Sequence, residues 1–290
     1  MNEHVISRVV LRRFANHSRG PVTCLDLDTL VAHTDRVERV GGVRDLAGMS
    51  GVDLENIWSD EVETRLPHAF TLLDAGTLLE SPVAIETVKK AIALHWARSF
   101  TTTLILEQIR PEYAKRIADR LLERFSPAEA TQALVGVAVI GSDAEVLARR
   151  QIAARFSQHL RDKGFIGQQF LTHFRTAQEK VAPFALEIWR AADAEFLLAD
   201  IPVVTWDKDT DQVGVLNGAA WNRADVVFMA LGPRHLVALA KQPSWQDADA
   251  RRVETLNSMQ IRGAYREVFL RPGSGLDQVL IDALARGGRT

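Results

Sequence analysis

The chain holds a single cysteine, Cys24, among 290 residues. A lone thiol can form no internal disulfide and lacks the partners of a Cys-based zinc centre, so Cys24 reads as a small buried residue in a strand. Long apolar runs are missing as well. Nothing approaches membrane-spanning length, and the start, Met1-Asn2-Glu3-His4 with Arg8, Arg12 and Arg13 close behind, lacks the continuous apolar region of a secretion signal. The expectation is a cytoplasmic protein with no membrane partner. Neither sign of charge dominates: 35 Lys and Arg face 37 Asp and Glu, a formal net charge of -2. No global field therefore draws the chain to nucleic acid or to an acidic surface. Gly41-Gly42, Gly232 and Gly273-Ser274-Gly275 lack the Lys or the glycine spacing of a phosphate loop, and there is no Gly-x-Ser-x-Gly elbow. His159 and His173 stand on separate predicted helices, and no His-Glu-x-x-His or comparable spacing encodes a metal site. These absences remove nucleotide-dependent phosphoryl transfer and ordinary serine hydrolysis. They name no cofactor.

What is present is an ordinary globular composition, 47% hydrophobic and 25% charged, in a length that suits one domain over residues 1–290. Val22 to Leu27 alternates as a strand, and Arg36 to Val40 can return beside it as a β-hairpin. Helices are expected from about 54 to 181. The first spans Leu54 to Leu73, kinked or split at Pro67, and the second is capped by Ser81-Pro82, with a stripe of Ile85, Val88, Ile92, Trp96 and Phe100. Further helices open at Pro111 and at Ser126-Pro127, a long one runs from Ser142-Asp143 through Lys163, and another lies near Gln168 to Val181. From about 183 to 240 the texture changes to strands: Phe184–Trp189, Phe196–Trp206, Val226–Leu231 and Leu236–Leu239. Helices from about Asp247 to Val268 and around Leu276 to Ala285 close the chain. Helices followed by successive strands predict an α+β fold: an N-terminal β-hairpin, a central helical layer, and a C-terminal mostly antiparallel sheet with terminal helices.

Several stretches resemble a known family. The opening His4-Val5-Ile6-Ser7-Arg8-Val9-Val10-Leu11-Arg12-Arg13-Phe14 is similar to the start of the bacterial domain-of-unknown-function family 4238, with Ser7 where that family has Pro. Trp58 with Glu61, and Arg98, resemble its helical positions. Trp189 followed by Phe196-Leu197-Leu198-Ala199-Asp200-Ile201-Pro202 resembles a strand pair that ends in Thr-Ser-Asp-Asn-Pro, with Ala199 and Ile201 departing from it. Leu231-Gly232-Pro233 resembles a turn, and Asn257 matches an Asn near the start of the penultimate helix. The resemblance covers nearly the whole chain and implies no established activity.

The residue with the least bland reading is Asp200, a carboxylate interrupting a buried run just before Pro202. It reads either as a general base facing His4 or as a turn residue. His4, Arg8 and Arg12 are spaced by four and share a face whether helical or extended, which suits binding of a phosphate or carboxylate with His4 moving protons. The alternative is a surface row. Arg98 follows the apolar stripe and needs a carboxylate, with Glu61 or Asp200 as the expected partner. His4 and Asp200 are therefore the catalytic candidates, and Arg8, Arg12, Arg98 and Asn257 the substrate-binding ones. The chemistry that suits them is hydrolysis of a phosphorylated or phosphodiester substrate, a small molecule or nucleic acid. The alternative is a non-catalytic interaction module, in which Trp206 to Trp221 forms a recognition loop. Asp207, Asp209 and Asp211 lack the Gly and distant Glu of a calcium loop and read as a solvated turn.

Overall fold

A computed structural model of the chain describes residues 2–17, 20–44, 57–162 and 165–288. Strand β1 (Asn2–His4) leads into a short helix, α1 (Arg8–Leu11), which Ser7 caps by accepting from the Val9 N–H, and then a 3-10 turn over Arg12–Phe14. β2 (Pro21–Asp26) and β3 (Ala32–Arg36) form the expected hairpin, but the returning strand comes earlier than Arg36–Val40. The cause is local. Asp26 accepts from the backbone N–H groups of Asp28 and Thr29, and Leu30 adopts φ 55°, so the chain reverses within a few residues. β4 (Gly42–Arg44) pairs antiparallel with β1.

The predicted start at Leu54 lies outside the described residues. From Ile57 to Glu63 the chain makes π-helical turns, and α2 (Leu66–Asp74) begins just before Pro67, which lies in its first turn at the expected point of division. α3 (Pro82–Ala97) is capped by Ser81 as predicted and buries Val88 and Ile92. Phe100 belongs to the next element, because Ser99 caps a new helix, α4 (Phe100–Leu122). Pro111 sits inside α4 instead of opening a helix, at the loss of one backbone hydrogen bond. α5 (Pro127–Val135) carries a full capping box from Ser126 and Glu129, and α6 (Ala144–Asp162) and α7 (Phe165–Val181) complete the helical layer. The predicted helix end at Lys163, and Gly164, lie outside the described residues.

β5 (Ala185–Ala191) opens the sheet-rich part. The single strand expected from Phe196 to Trp206 is two strands in two sheets: β6 (Leu198–Ala199) and β7 (Val203–Asp207), parted at Asp200-Ile201-Pro202. β8 (Gln212–Val213), β9 (Val226–Gly232), β10 (His235–Ala240) and β11 (Ser244–Ala248) follow. Helix α8 (Ala250–Gly263), capped by Asp249, ends before the predicted Val268, which lies in β12 (Glu267–Leu270); α9 (Leu276–Gly287) closes the described chain. The larger sheet has the order β11-β5-β10-β9-β7-β8, antiparallel throughout except for the β11–β5 edge, and the smaller has β3-β2-β12-β6. The fold is α+β, as expected. One core joins α1, α2, α3, α7 and the larger sheet; a second joins β2, β6, β12, α8 and α9.

Trp206 and Trp221 are packed against the main core, and Trp221 meets Trp96 edge to face at 4.6 Å. Both rings are half-buried and pack over the core. Among the acidic row, Asp207 accepts from the Asp209 and Thr210 N–H groups, and Asp211 pairs with Arg262.

A cationic cleft at the β9–β10 turn

The structure places the expected site residues with separate partners. The side chain of His4 lies outside the described residues. α1 is only four residues long, so Arg8 and Arg12 share no extended helical face: Arg8 is exposed, and Arg12 lies 3.9 Å from Glu38. Arg98 is buried at the C-cap of α3 and pairs with neither expected carboxylate. Glu61 faces Lys90 at 3.6 Å, while both oxygens of Asp200 accept backbone donors, from Tyr265 at 2.8 Å, Arg266 at 2.7 Å and Glu267 at 2.9 Å. Burial pushes the Asp200 carboxyl up, against the pull of these N–H groups, and burial together with Asp200 pushes the neighbouring Glu267 up. Asn257 is buried, with its amide spent on the chain entering β6: it accepts from Leu197 N–H at 3.0 Å and donates to Glu195 O at 2.9 Å. Among the described side chains, no hydrogen bond or ion pair joins any two of Arg8, Arg12, Arg98, Asp200 and Asn257.

A different set converges. Arg13, next to the exposed Arg12 but turned inward by the 3-10 turn, donates to both oxygens of Asp74 at 2.7 and 2.6 Å and lies over the Phe70 ring at 4.7 Å. Gly232 gives it room, since a Cβ there would lie 2.8 Å from Arg13 Nε. The β9–β10 turn, Gly232-Pro233-Arg234-His235, then brings His235 Nδ1 to 3.5 Å from Asp74 Oδ1. The turn is pinned to the 191–196 loop, where Phe196 N–H donates to Pro233 O at 2.8 Å and Ala191 N–H to Arg234 O at 2.9 Å. Arg234 Nη1 donates to the carbonyls of Ala192 and Ala194 in that loop. Arg271, just past β12, grips Glu195 through Nε at 2.9 Å and Nη2 at 2.6 Å.

These groups line a cleft of about 520 Å³: Arg13, Asp74, Glu195, Arg234, His235 and Arg271 around Pro233. His235 is 6% exposed, and burial holds its imidazole down to about 4 despite the nearby Asp74 charge, so the ring is neutral at pH 7. Burial also pushes Asp74 up, but the hydrogen bonds and charge of Arg13 outweigh it and leave the carboxylate below its ordinary value. His235 Nδ1, although 3.5 Å from Asp74 Oδ1, is buried without a hydrogen bond, and no hydrogen bond to Nε2 occurs among the described residues. The arrangement can hold an anion and move a proton beside it. No group of three or more His, Cys, Asp or Glu able to hold a metal ion occurs among the described residues.

Sequence reasoning passed over Arg13, Asp74, Arg234, His235 and Arg271. Arg13 stood in the quoted opening motif, but the spacing of four selected Arg8 and Arg12 instead. A usable signal for His235 was its place after Gly-Pro-Arg at the head of an apolar strand, where a polar ring needs a partner. Asp74 and Arg271 lie far apart in sequence and carry no local mark.

No helix among the described residues is long and apolar enough to cross a membrane. No curated protein and no solved structure matches the chain. Residues 2–274 match the family described as a protein of unknown function (DUF4238), and the chain belongs to that family.

Proposed function

We propose that the protein hydrolyses a phosphorylated or phosphodiester substrate in the cleft at the β9–β10 turn. The observation that carries this reading is the neutral, nearly buried His235 beside an Asp74 that is already held by Arg13, with two further guanidinium groups on the same cleft. His235 takes a proton from water through Nε2. The water oxygen adds to phosphorus, the ester P–O bond breaks, and the leaving oxygen departs as an alcohol with the proton returned to it. The Asp74 charge stabilises the imidazolium that forms, while Arg234 and Arg271 stabilise charge developing on the phosphoryl oxygens. The base must be neutral, so turnover falls as pH drops through about 4.

The test is turnover of bis-p-nitrophenyl phosphate and p-nitrophenyl phosphate by the full chain. The expected result is measurable release by wild type and a loss of about 100-fold or more in kcat for His235→Gln, with the fold retained by circular dichroism. Equal turnover by His235→Gln would overturn the assignment.

A second reading has one observation in its favour: Arg13 and Arg271 are each already held by a carboxylate through two nitrogens. On that reading the polar residues form a structural network in a binding module. It predicts no turnover, and destabilisation alone on substitution of Arg13.

A further inference from the structure

A second cavity of about 770 Å³ opens from the same place, since Glu195, Arg234 and Arg271 line both. It runs between α8 and α9, and each helix contributes one stripe of three-and-four spacing. From α9 these are Leu276, Val279, Leu280, Ala283, Leu284 and Gly287, with Val253 and Ile261 facing them from α8. At 1.5 Å per residue the α9 stripe spans about 16 Å. The α9 wall of the groove is apolar along its length, α8 adds Asn257 and Ser258 between Val253 and Ile261, and the end shared with the cleft is charged. Val279 is 61% exposed on α9, so the groove stays open on one side.

Donors remain at the shared end. A guanidinium has five N–H groups. Arg234 spends Nη1 on loop carbonyls and Arg271 spends Nε and Nη2 on Glu195. Among the described residues, Arg234 Nε and Nη2 and Arg271 Nη1 make no hydrogen bond to protein. Asp193 and Glu254, both exposed, line the same end and oppose a multiply charged group there. Together these features favour a single negative charge attached to an apolar chain.

We propose that the two cavities form one site for an amphiphilic phosphodiester, with its monoanionic phosphate between Arg234 and Arg271 and its single apolar chain in the α8–α9 groove. This rests on the hydrolase reading for the identity of the head group, and the groove supplies the substrate class. The chain contributes by burial: each buried methylene adds a few-fold to affinity, so a decyl chain gains on the order of 100-fold or more over an ethyl chain.

The probes are methyl decyl phosphate and methyl ethyl phosphate, below the micelle concentration, measured by calorimetry and by product release. Ala283 lies on the exposed side of α9, so Ala283→Trp fills the groove without touching the core. The expected result is tighter binding of the decyl diester by wild type, with that gain reduced at least tenfold in Ala283→Trp and the ethyl diester unaffected. Binding of the decyl diester without turnover would remove the hydrolase reading and still support the amphiphile site. Turnover of both diesters with no dependence on chain length would overturn the amphiphile site while leaving hydrolysis standing. A change in oligomeric state of Ala283→Trp, with no effect on decyl binding, would also overturn it and assign the groove to a second copy of the chain.

Discussion

Asp200 is a carboxylate within a buried run, and such a group needs hydrogen-bond donors. The donors are three consecutive N–H groups at the start of β12. Asp200→Ala strands them, so its unfolding free energy is expected to fall by about 1–3 kcal/mol in urea titration. Turnover of the diester by the folded fraction is expected to persist; loss of turnover at full stability would return Asp200 to the site. The oddness of Asp200 was legible in the sequence, but not whether its donors were a substrate or the backbone; Arg13 and Gly232 carried no mark of their meeting. Their contact depends on a 3-10 turn and a strand end brought together from distant parts of the chain, and no local spacing encodes it. The lone cysteine fits its reading: Cys24 is buried in β2, and burial, then the Glu267 and Asp35 charges, push its thiol up to about 12.

At the scale of elements, caps and apolar stripes were legible and partners were not. Ser81, Ser126 and the 276–285 pattern marked helices because a cap or a stripe is a local property. Pro111 misled because a helix started by Ser99 runs through it, and Phe196 to Trp206 misled because a continuous apolar run serves two sheets. β11 and β12 are short, and each gains its partner only from afar, β5 for one and β2 with β6 for the other. The N-terminal segment is fixed to α3 through His95, whose Nε2 accepts from Ser7 N–H at 3.1 Å while Nδ1 donates to Ala91 O at 2.7 Å. This requires a neutral ring. Burial, opposed by the Ala91 bond and helped by Arg98, holds His95 down to about 4 from an ordinary 6.5. The folded pKa is depressed, so the unfolded chain takes up the proton first, and stability is full above 6.5 and lost as pH falls towards 4. Between pH 7.5 and 5 the loss from this group is about 2 kcal/mol. His95→Gln is expected to be less stable than wild type at pH 7.5 and to lose less on acidification; an equally steep pH dependence in the variant would remove His95 as its source.

At the scale of the molecule, the main core and the core around β12 meet along the 191–200 segment, which carries Glu195 and Asn257's anchoring contacts and ends at Asp200. Its position explains why function was the least legible property. The cleft draws Arg13 from the N-terminal segment, Asp74 from α2, His235 from the β9–β10 turn and Arg271 from beyond β12, so it exists only once helices and both sheets are in place. The α+β architecture followed from patterning; the site followed from assembly. The most direct test of the phosphate site is a crystal structure grown with methylphosphonate, a stable phosphate mimic. The phosphonate is expected between Arg234 and Arg271, on the His235 side of the junction with the α8–α9 groove. A phosphonate bound at another place, with the diester still hydrolysed by the same preparation, would contradict it.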